Sequence, residues 1–428
     1  MLDMIISLLR QSGADAWEIQ DTATEGWEFY LIRHRLDQNR ARLVRHTQVK
    51  VYKCSEDGTL LGSASGEIPQ TVTAEEAKKI ITELMQAAVL VRNPFYTLNP
   101  PPASPSVIKA PEVRPAQIAH KILNVLSSLP ETAQADLNSS EVFVNMETHR
   151  LITSTGIDVI TVHPSSMVEV VVNARQNNHE IELYRLYHFG ECNHAMLTED
   201  LTRALQFGPD RLIAKPTPAL RQSDVVFSTA DACEIYDYFI SRMNASMIKR
   251  GYSDWKLDTP VVPEPEKDRV TLWARAELPY SSKGGPLDPE GAIAQDMPLI
   301  QDGIARHYFG SRQFREYLGM PDGYLAENFE VSGGQASDEE IRSGSFLEIV
   351  EFSDFQVNPL SGDIAGEIRL AYWHHDGRVE PVSGGSVSGN MKTLARTLSM
   401  SRRQTTYDSL KIPALTRLCG VTITGAVS

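Results

Sequence analysis

The chain has 428 residues, 42% of them hydrophobic and 22% charged. That length suggests two or three domains, and the apolar content supplies sizeable cores, which excludes a disordered chain or a small stapled scaffold. With 41 Lys and Arg against 55 Asp and Glu, the net charge is −14; duplex nucleic acid is not expected as the main partner, because phosphates call for a basic face.

Met1 to Arg10 carries Leu2, Ile5, Ile6, Leu8 and Leu9 at helical spacing and has Asp3 where a signal peptide would be basic. It reads as a helix ending near Gly13. No run of 18 apolar residues occurs, so no membrane span is expected and the protein is placed in the cytoplasm. Strand signals follow at Glu28–Arg35, Gln48–Lys53 and Leu60–Ile68, with a turn at Glu56-Asp57-Gly58. Thr73-Ala74-Glu75-Glu76 has capping-box spacing, and the helix it starts carries Ile80, Ile81, Leu84, Met85 and Ala88 on one face.

Asn93 to Pro115 contains Pro94, Pro100, Pro101, Pro102, Pro105, Pro111 and Pro115. Proline removes backbone donors, so this stretch is expected to be extended and exposed, a crossover within one domain. A helix over Ala116–Leu129 comes next. Strands are expected at Glu141–Glu147, Leu151–Ser154, Val159–His163, Val168–Ala174 and Ile181–Tyr187, then a helix capped by Thr198. Arg203 to Pro218, with Pro209, Pro216 and Pro218, marks the boundary between an N-terminal α/β domain (1–208) and a mostly-β domain (209–428). In the second, Asp224–Ser228 leads into a helix over Ala230–Arg250. Val270–Ala276, Ser345–Val357, Ile364–Trp373 and Val421–Thr424 read as strands. The fold class is α+β, with antiparallel strands and helices first and a curved antiparallel sheet after.

The four cysteines, Cys54, Cys192, Cys233 and Cys419, form no CxxC pair, so neither a disulfide framework nor a zinc ribbon is signalled. His179, His188, Cys192 and His194 offer imidazole and thiol donors for a stand-alone metalloprotein or metallopeptidase. The spacing argues against it: the residue four after His179 is Leu183, and His188, Cys192 and His194 could converge only in a tight loop. The alternative is polar residues at a strand end before a helix. His374 and His375 adjoin the turn Asp376-Gly377 and point to opposite faces. Cys233 sits beside Ile235 and Phe239 and reads as a buried small hydrophobe. No GxSxG, GxGxxG after a strand, or GxxxxGK[ST] is present. Asp288 and Glu290, with Gly291, place two carboxylates in one loop, for a cation, a neighbouring chain or simply a solvated turn. Gly384, Gly385, Ser386 and Asn390 open a helix expected over Met391–Met400; its N-terminus could hold an anion or a carboxylate, the alternative being an ordinary turn and helix start.

Several segments together resemble the TldD/PmbA family, labelled modulators of DNA gyrase, and its PmbA (TldE) branch in particular. They are Asp288-x-Glu290-Gly291 with Leu299–Gly303, Asn358 through Ile368, and Gly377 through Asn390. The resemblance implies an N-terminal α/β domain, a curved C-terminal sheet and a cytoplasmic peptidase assembly that degrades unfolded or leader peptides. In it a TldD-type subunit holds zinc through HExxxH and a later cysteine. Here Ser228-Thr229-Ala230-Asp231-Ala232-Cys233 stands at that step, and Ser399-Met400-Ser401-Arg402 at the later one. The expectation is a non-catalytic subunit with no cofactor of its own, zinc on a TldD-like partner, an extended or unfolded peptide as ligand, and at least a dimer, with a homodimer possible. A regulatory protein acting on gyrase is a further alternative. The segments expected at the cleft or interface are the Asp288/Glu290/Gly291 loop and the Gly384, Gly385, Ser386 and Asn390 turn.

Overall fold

The computed structural model describes residues 1–102, 113–132 and 134–426. Its first sheet has six strands in the order β3-β2-β1-β4-β5-β6, all antiparallel. They are β1 (Ala16–Ile32), β2 (Arg35–Cys54), β3 (Leu61–Glu67), β4 (Ala135–Thr153), β5 (Asp158–Gln176) and β6 (His179–Phe189). Helices α1 (Leu2–Gln11), α2 (Ala74–Leu90), α3 (Pro115–Ser128) and α4 (His194–Leu212) cover one face. Against that face α1 and α2 bury Ile5, Leu9, Ala77 and Ile81 beside Ile19 and Val49. Under α3 and α4 lie Val142, Val144, Val168, Val170 and Leu183, all essentially inaccessible. Each such aliphatic side chain contributes roughly 1.5–3 kcal/mol by leaving water.

These strands are longer than the sequence suggests. Arg35 to Val44 is exposed on both faces and therefore shows no alternation, yet it pairs with β1 along its length. Arg45 and Thr47 reach Asp21 across the pair, at 2.5–3.0 Å and 2.7 Å. The strands expected on either side of Pro164 are one strand, β5, with Pro164 opposite Met146. α4 begins earlier than expected: Asn193, not Thr198, accepts the N–H of Met196, and Thr198 lies within the first turns, donating to the His194 carbonyl at 2.7 Å. The helix runs through Pro209, so the 208/209 division falls inside it.

The proline segment also differs from expectation. Its residues up to 102 are irregular, but Tyr96 and Asn99 are buried, 6% and 7% exposed. Glu316 accepts the N–H of Thr97 at 2.8 Å, and Tyr317 donates to the Pro94 carbonyl at 2.5 Å, tying the segment to the second half of the chain. Pro105 and Pro111 lie outside the described residues.

The second half contains β7 (Lys215–Pro216), β8 (Leu220–Phe227), α5 (Ala232–Arg242), α6 (Ala245–Lys249), β9 (Leu272–Arg275), β10 (Met297–Gln301) and β11 (Ile304–Ala305). It continues with α7 (Arg312–Tyr317), β12 (Asn328–Val331), α8 (Asp338–Ile341), β13 (Phe346–Val357), β14 (Asp363–His375), β15 (Arg378–Ser383) and β16 (Ser386–Asn390). After the single turn α9 (Met391–Leu394) come β17 (Ser399–Met400), β18 (Gln404–Tyr407), β19 (Leu410–Pro413) and β20 (Thr416–Thr424). One sheet runs β11-β10-β9-β12-β19-β18, the other β13-β8-β20-β16-β14-β15-β7. The second curls until β13 pairs with β14 as well as β8, which closes the ring β13-β8-β20-β16-β14 and removes free edges from it. β8–β13, β15–β7 and β12–β19 are parallel, so the sheets are mixed rather than purely antiparallel. The expected helix 230–250 is two helices: Met243 ends α5, and the Asn244 side chain caps α6 by accepting the Ser246 N–H at 2.9 Å. The largest core lies between the two sheets and around α5, with Ile235, Phe239, Leu272, Leu299 and Leu347 inaccessible.

Candidate functional site

β8 is flanked by β13 and β20 and buries Val225, Val226 and Phe227. It delivers the chain into Ser228–Asp231 at the head of α5. That helix holds its place because Ile235, Tyr236 and Phe239 recur at core spacing, and the Tyr236 hydroxyl meets the Thr416 hydroxyl at 2.7 Å. The polar groups at the step are Asp231, which accepts from the Thr229 hydroxyl at 3.2 Å, Glu234 and Cys233. Burial pushes the Asp231 and Glu234 carboxyls above their ordinary range. Burial, reinforced by nearby acids, pushes the Cys233 thiol up strongly. Beside them Glu348 is half of a bidentate pair with Arg342, at 2.6 and 2.9 Å; its burial is outweighed and the carboxyl lies low. Zinc takes imidazole, thiolate and carboxylate. The step presents no imidazole, a single thiol and two carboxyls, all three shifted upward by burial, which is the direction that disfavours the anions a metal needs. These residues do not fit a zinc ion. Among the described residues no three His, Cys, Asp or Glu side chains gather into a metal-holding group.

The Asp288–Gly291 loop is not a solvated turn. Asp288 is 8% exposed, and its carboxylate accepts the N–H groups of Glu290 (2.9 Å), Ala292 (2.8 Å) and Leu325 (2.6 Å). Glu290 accepts the Arg312 N–H at 2.7 Å, and its carbonyl accepts from the Asn99 amide at 3.0 Å. Burial, then the charges of Asp288 and Glu18, push the Glu290 carboxyl up to about 7. Gly291 has φ +80, and a Cβ there would lie 2.8 Å from Ile157 and 3.1 Å from Leu151. The loop is thus one of the contacts between the second half and the first sheet.

Gly384 and Gly385 turn the chain between β15 and β16 with φ +81 and +75; a Cβ on Gly385 would sit 2.0 Å from the Thr424 carbonyl oxygen. Ser386–Asn390 is a strand that pairs with β14 and β20, and its last residue, Asn390, caps the short helix that starts at Met391. Asn390 accepts the Lys392 N–H at 2.9 Å and donates to Asp363 at 2.8 Å. The helix expected over Met391–Met400 is a single turn followed by a 3-10 turn and β17, with Met391 and Leu394 buried. Asp288 and Glu290 are therefore not brought to the Gly384–Asn390 turn by any direct contact.

The histidines and Cys192 do not converge. His179 and His188 occupy opposite ends of β6, nine residues and roughly 30 Å apart. Cys192 lies in the core under α4, where burial pushes its thiol up to about 11. His194 is an exposed first residue of α4. His374 stacks on Phe346 and His375 on Trp373, ring centroids 4.1 and 3.6 Å apart.

A cavity of about 300 Å³ opens where the uncovered face of the first sheet meets the 282–289 loop; its polar walls include Glu147, His149, His163, Lys283, Asp288 and Glu327. Sequence reading placed only Asp288 in a site. Glu147 and His149, two apart in one strand, shared a face by alternation, but only strand register brings His163 beside them.

Residues 221–425 match the PmbA/TldA metallopeptidase C-terminal domain. This second half of the chain thus carries a PmbA/TldD-family domain. The chain's fold extends over whole solved structures. TldE from Thermococcus kodakarensis superposes with a TM-score of 0.78 at 16% identity, covering 99% of this chain and 100% of that one. A Bacteroides thetaiotaomicron protein described as a candidate modulator of DNA gyrase gives 0.78 at 16% identity, covering 99% and 98%. A Thermotoga maritima protein of the same description gives 0.76 at 15%, with the same coverage. In sequence, an uncharacterised protein of Methanocaldococcus jannaschii is 23% identical over 138 residues, which span 29% of this chain and 32% of that relative.

Proposed function

We propose that this chain is the TldE/PmbA-type subunit of a cytoplasmic zinc peptidase assembly. It holds no metal, and it shapes the channel through which a TldD-type partner receives unfolded or leader peptides. The observation that carries this reading is the β8–α5 step, where Ser228 through Cys233 offer no imidazole, one thiol and one carboxyl, Asp231, with Glu234 next to them, in a chain whose second half matches a metallopeptidase-family domain. Without imidazole the step lacks the donor set of a catalytic zinc site, and without a metal-bound water no hydrolytic step starts here. The whole-chain likeness to a protein named TldE adds support. An extended peptide would be held by strand addition at a sheet edge such as β6 or β18. In the absence of the partner, a homodimer is the expected form.

The test is metal content by elemental analysis and peptide hydrolysis, for the chain alone and co-expressed with a TldD-type protein. Less than a tenth of a zinc per chain alone, about one zinc per co-purified pair, and hydrolysis of an unfolded peptide only by the pair are expected. One zinc per isolated chain, or full peptidase activity without the partner, overturns the proposal.

A further inference from the structure

The cavity over the first sheet has features that the subunit reading leaves unused. Its floor is one face of β1, β4 and β5. Glu147 pairs directly with His163, and His149 with both Thr22 and Thr161, so these five side chains project from the same face. Its roof is the 282–289 loop and Glu327.

The floor is prearranged. His149 is fixed at both ring nitrogens: Nδ1 lies 3.0 Å from the Thr22 hydroxyl, and Nε2 lies 3.3 Å from Glu147. The His149 hydrogen bond holds the Glu147 carboxyl below its ordinary range, so this group is an anion at neutral pH. The His163 ring lies against Gly285, where a Cβ would come within 3.2 Å of its Cε1. Among the described residues no side chain or backbone group is hydrogen-bonded to it, and desolvation, then His149, keeps it neutral.

The roof carries two opposite charges that do not touch. Among the described residues, neither the Lys283 ammonium nor the Glu327 carboxyl makes an ion pair; burial pushes the Glu327 carboxyl up, and the Lys283 charge acts through space to hold it down. Leu151, Val159 and Leu287 supply an apolar wall beside them. An ammonium and a carboxylate facing one space without meeting are complementary to a ligand that carries both charges. The volume, at the small end of ligand pockets, suits one or two residues rather than a longer peptide.

We propose that the cavity walled by Glu147, His163, Lys283 and Glu327 binds an α-amino-acid zwitterion with an apolar side chain, free or as a dipeptide. The carboxylate meets Lys283, the ammonium meets Glu327 and Glu147, His163 takes a polar hydrogen, and the side chain lies on Leu151, Val159 and Leu287. The inference concerns the isolated chain and stands whether or not a zinc-bearing partner exists.

The test is isothermal titration calorimetry of the full chain with L-leucine, Ala-Leu, leucinamide (no carboxylate) and 4-methylpentanoate (no ammonium). Saturable binding of leucine or Ala-Leu is expected, with each half-ligand weaker by about tenfold or more, since each loses one charge-assisted contact. Which of the two binds more tightly separates the free amino acid from the dipeptide. Lys283→Met should weaken leucine by about tenfold or more and leave leucinamide unchanged; Glu327→Gln should do the reverse, weakening leucinamide and sparing 4-methylpentanoate. Lys283 is exposed, so its variant should keep the wild-type unfolding midpoint, which is the control for folding. No saturable binding of leucine or Ala-Leu, or half-ligands that bind as tightly as the zwitterion, overturns the proposal. So does wild-type affinity in both variants.

Discussion

Replacing Glu290 by Gln probes the contact between the two halves of the chain. The carboxyl accepts the Arg312 N–H, which a glutamine oxygen can still do, so the substitution removes the charge and keeps the hydrogen bond. Burial raises the pKa from 4.5 in the unfolded chain to about 7 in the folded one. The folded chain therefore binds this proton more tightly than the unfolded chain. The resulting stability is complete below about 4.5 and is lost as pH rises through about 7. At about 1.36 kcal/mol per pKa unit, that shift corresponds to a loss of about 3 kcal/mol across the window. A neutral glutamine does not titrate. Chemical denaturation of wild type and Glu290→Gln at pH 4.5, 6 and 8 checks this. The variant should gain on wild type by about 3 kcal/mol between the extremes, most of it above pH 5. A difference between the two proteins that stays flat with pH would refute the reasoning, because it would mean that Glu290 is solvated and the halves are not closed over it.

Gly291→Ala should destabilise the same contact by about 1–3 kcal/mol, from its left-handed backbone and from the crowding of Ile157. Gly58→Ala, with φ +69 and nothing within 4 Å, is the control and should cost only about 1 kcal/mol; equal losses in urea midpoint would dismiss the packing argument. Site-resolved alkylation at pH 8 should find Cys192 about a hundredfold slower in the folded chain than in urea, since burial raises its thiol from 9.0 to about 11. A Cys192 that reacts within tenfold of its unfolded rate would show that it is not in the core.

Local signals in the sequence carried through wherever one face of an element meets the core. The Thr73–Glu76 capping box, the α3 stripe of Ile118, Ile122 and Val125, the buried end of β8 and the Asp376-Gly377 turn were all legible, because each depends on neighbours within a few residues. The longer strands were not. Arg35 to Val44 buries neither face, and Pro164 reads as a break, so the pattern ended where burial ended although the hydrogen-bonded ladder continued. Thr198 looked like a cap because its hydroxyl and the acids after it suit one; the chain instead starts α4 at Asn193, and Thr198 bonds back to His194. The 391–400 segment does start as a helix capped by Asn390, but it stops after one turn and a 3-10 turn because Ser399 and Met400 pair with β20.

By itself the sequence determined the α+β class, the family of the C-terminal domain, and the absence of histidine and glutamate from the Ser228–Cys233 step, since these rest on residue identity and short-range order. Tertiary structure alone decided what the remaining polar residues are. Pairing register put His163 beside Glu147, although they are 16 residues apart along the chain, and carried His179 and His188 to opposite ends of one strand. Closure of the second half onto the first sheet turned Asp288 into a buried and Glu290 into a half-buried acceptor of backbone N–H groups. The physical reason is that burial and through-space charge set a carboxyl's or imidazole's chemistry, and both are sums over neighbours that chain order does not contain.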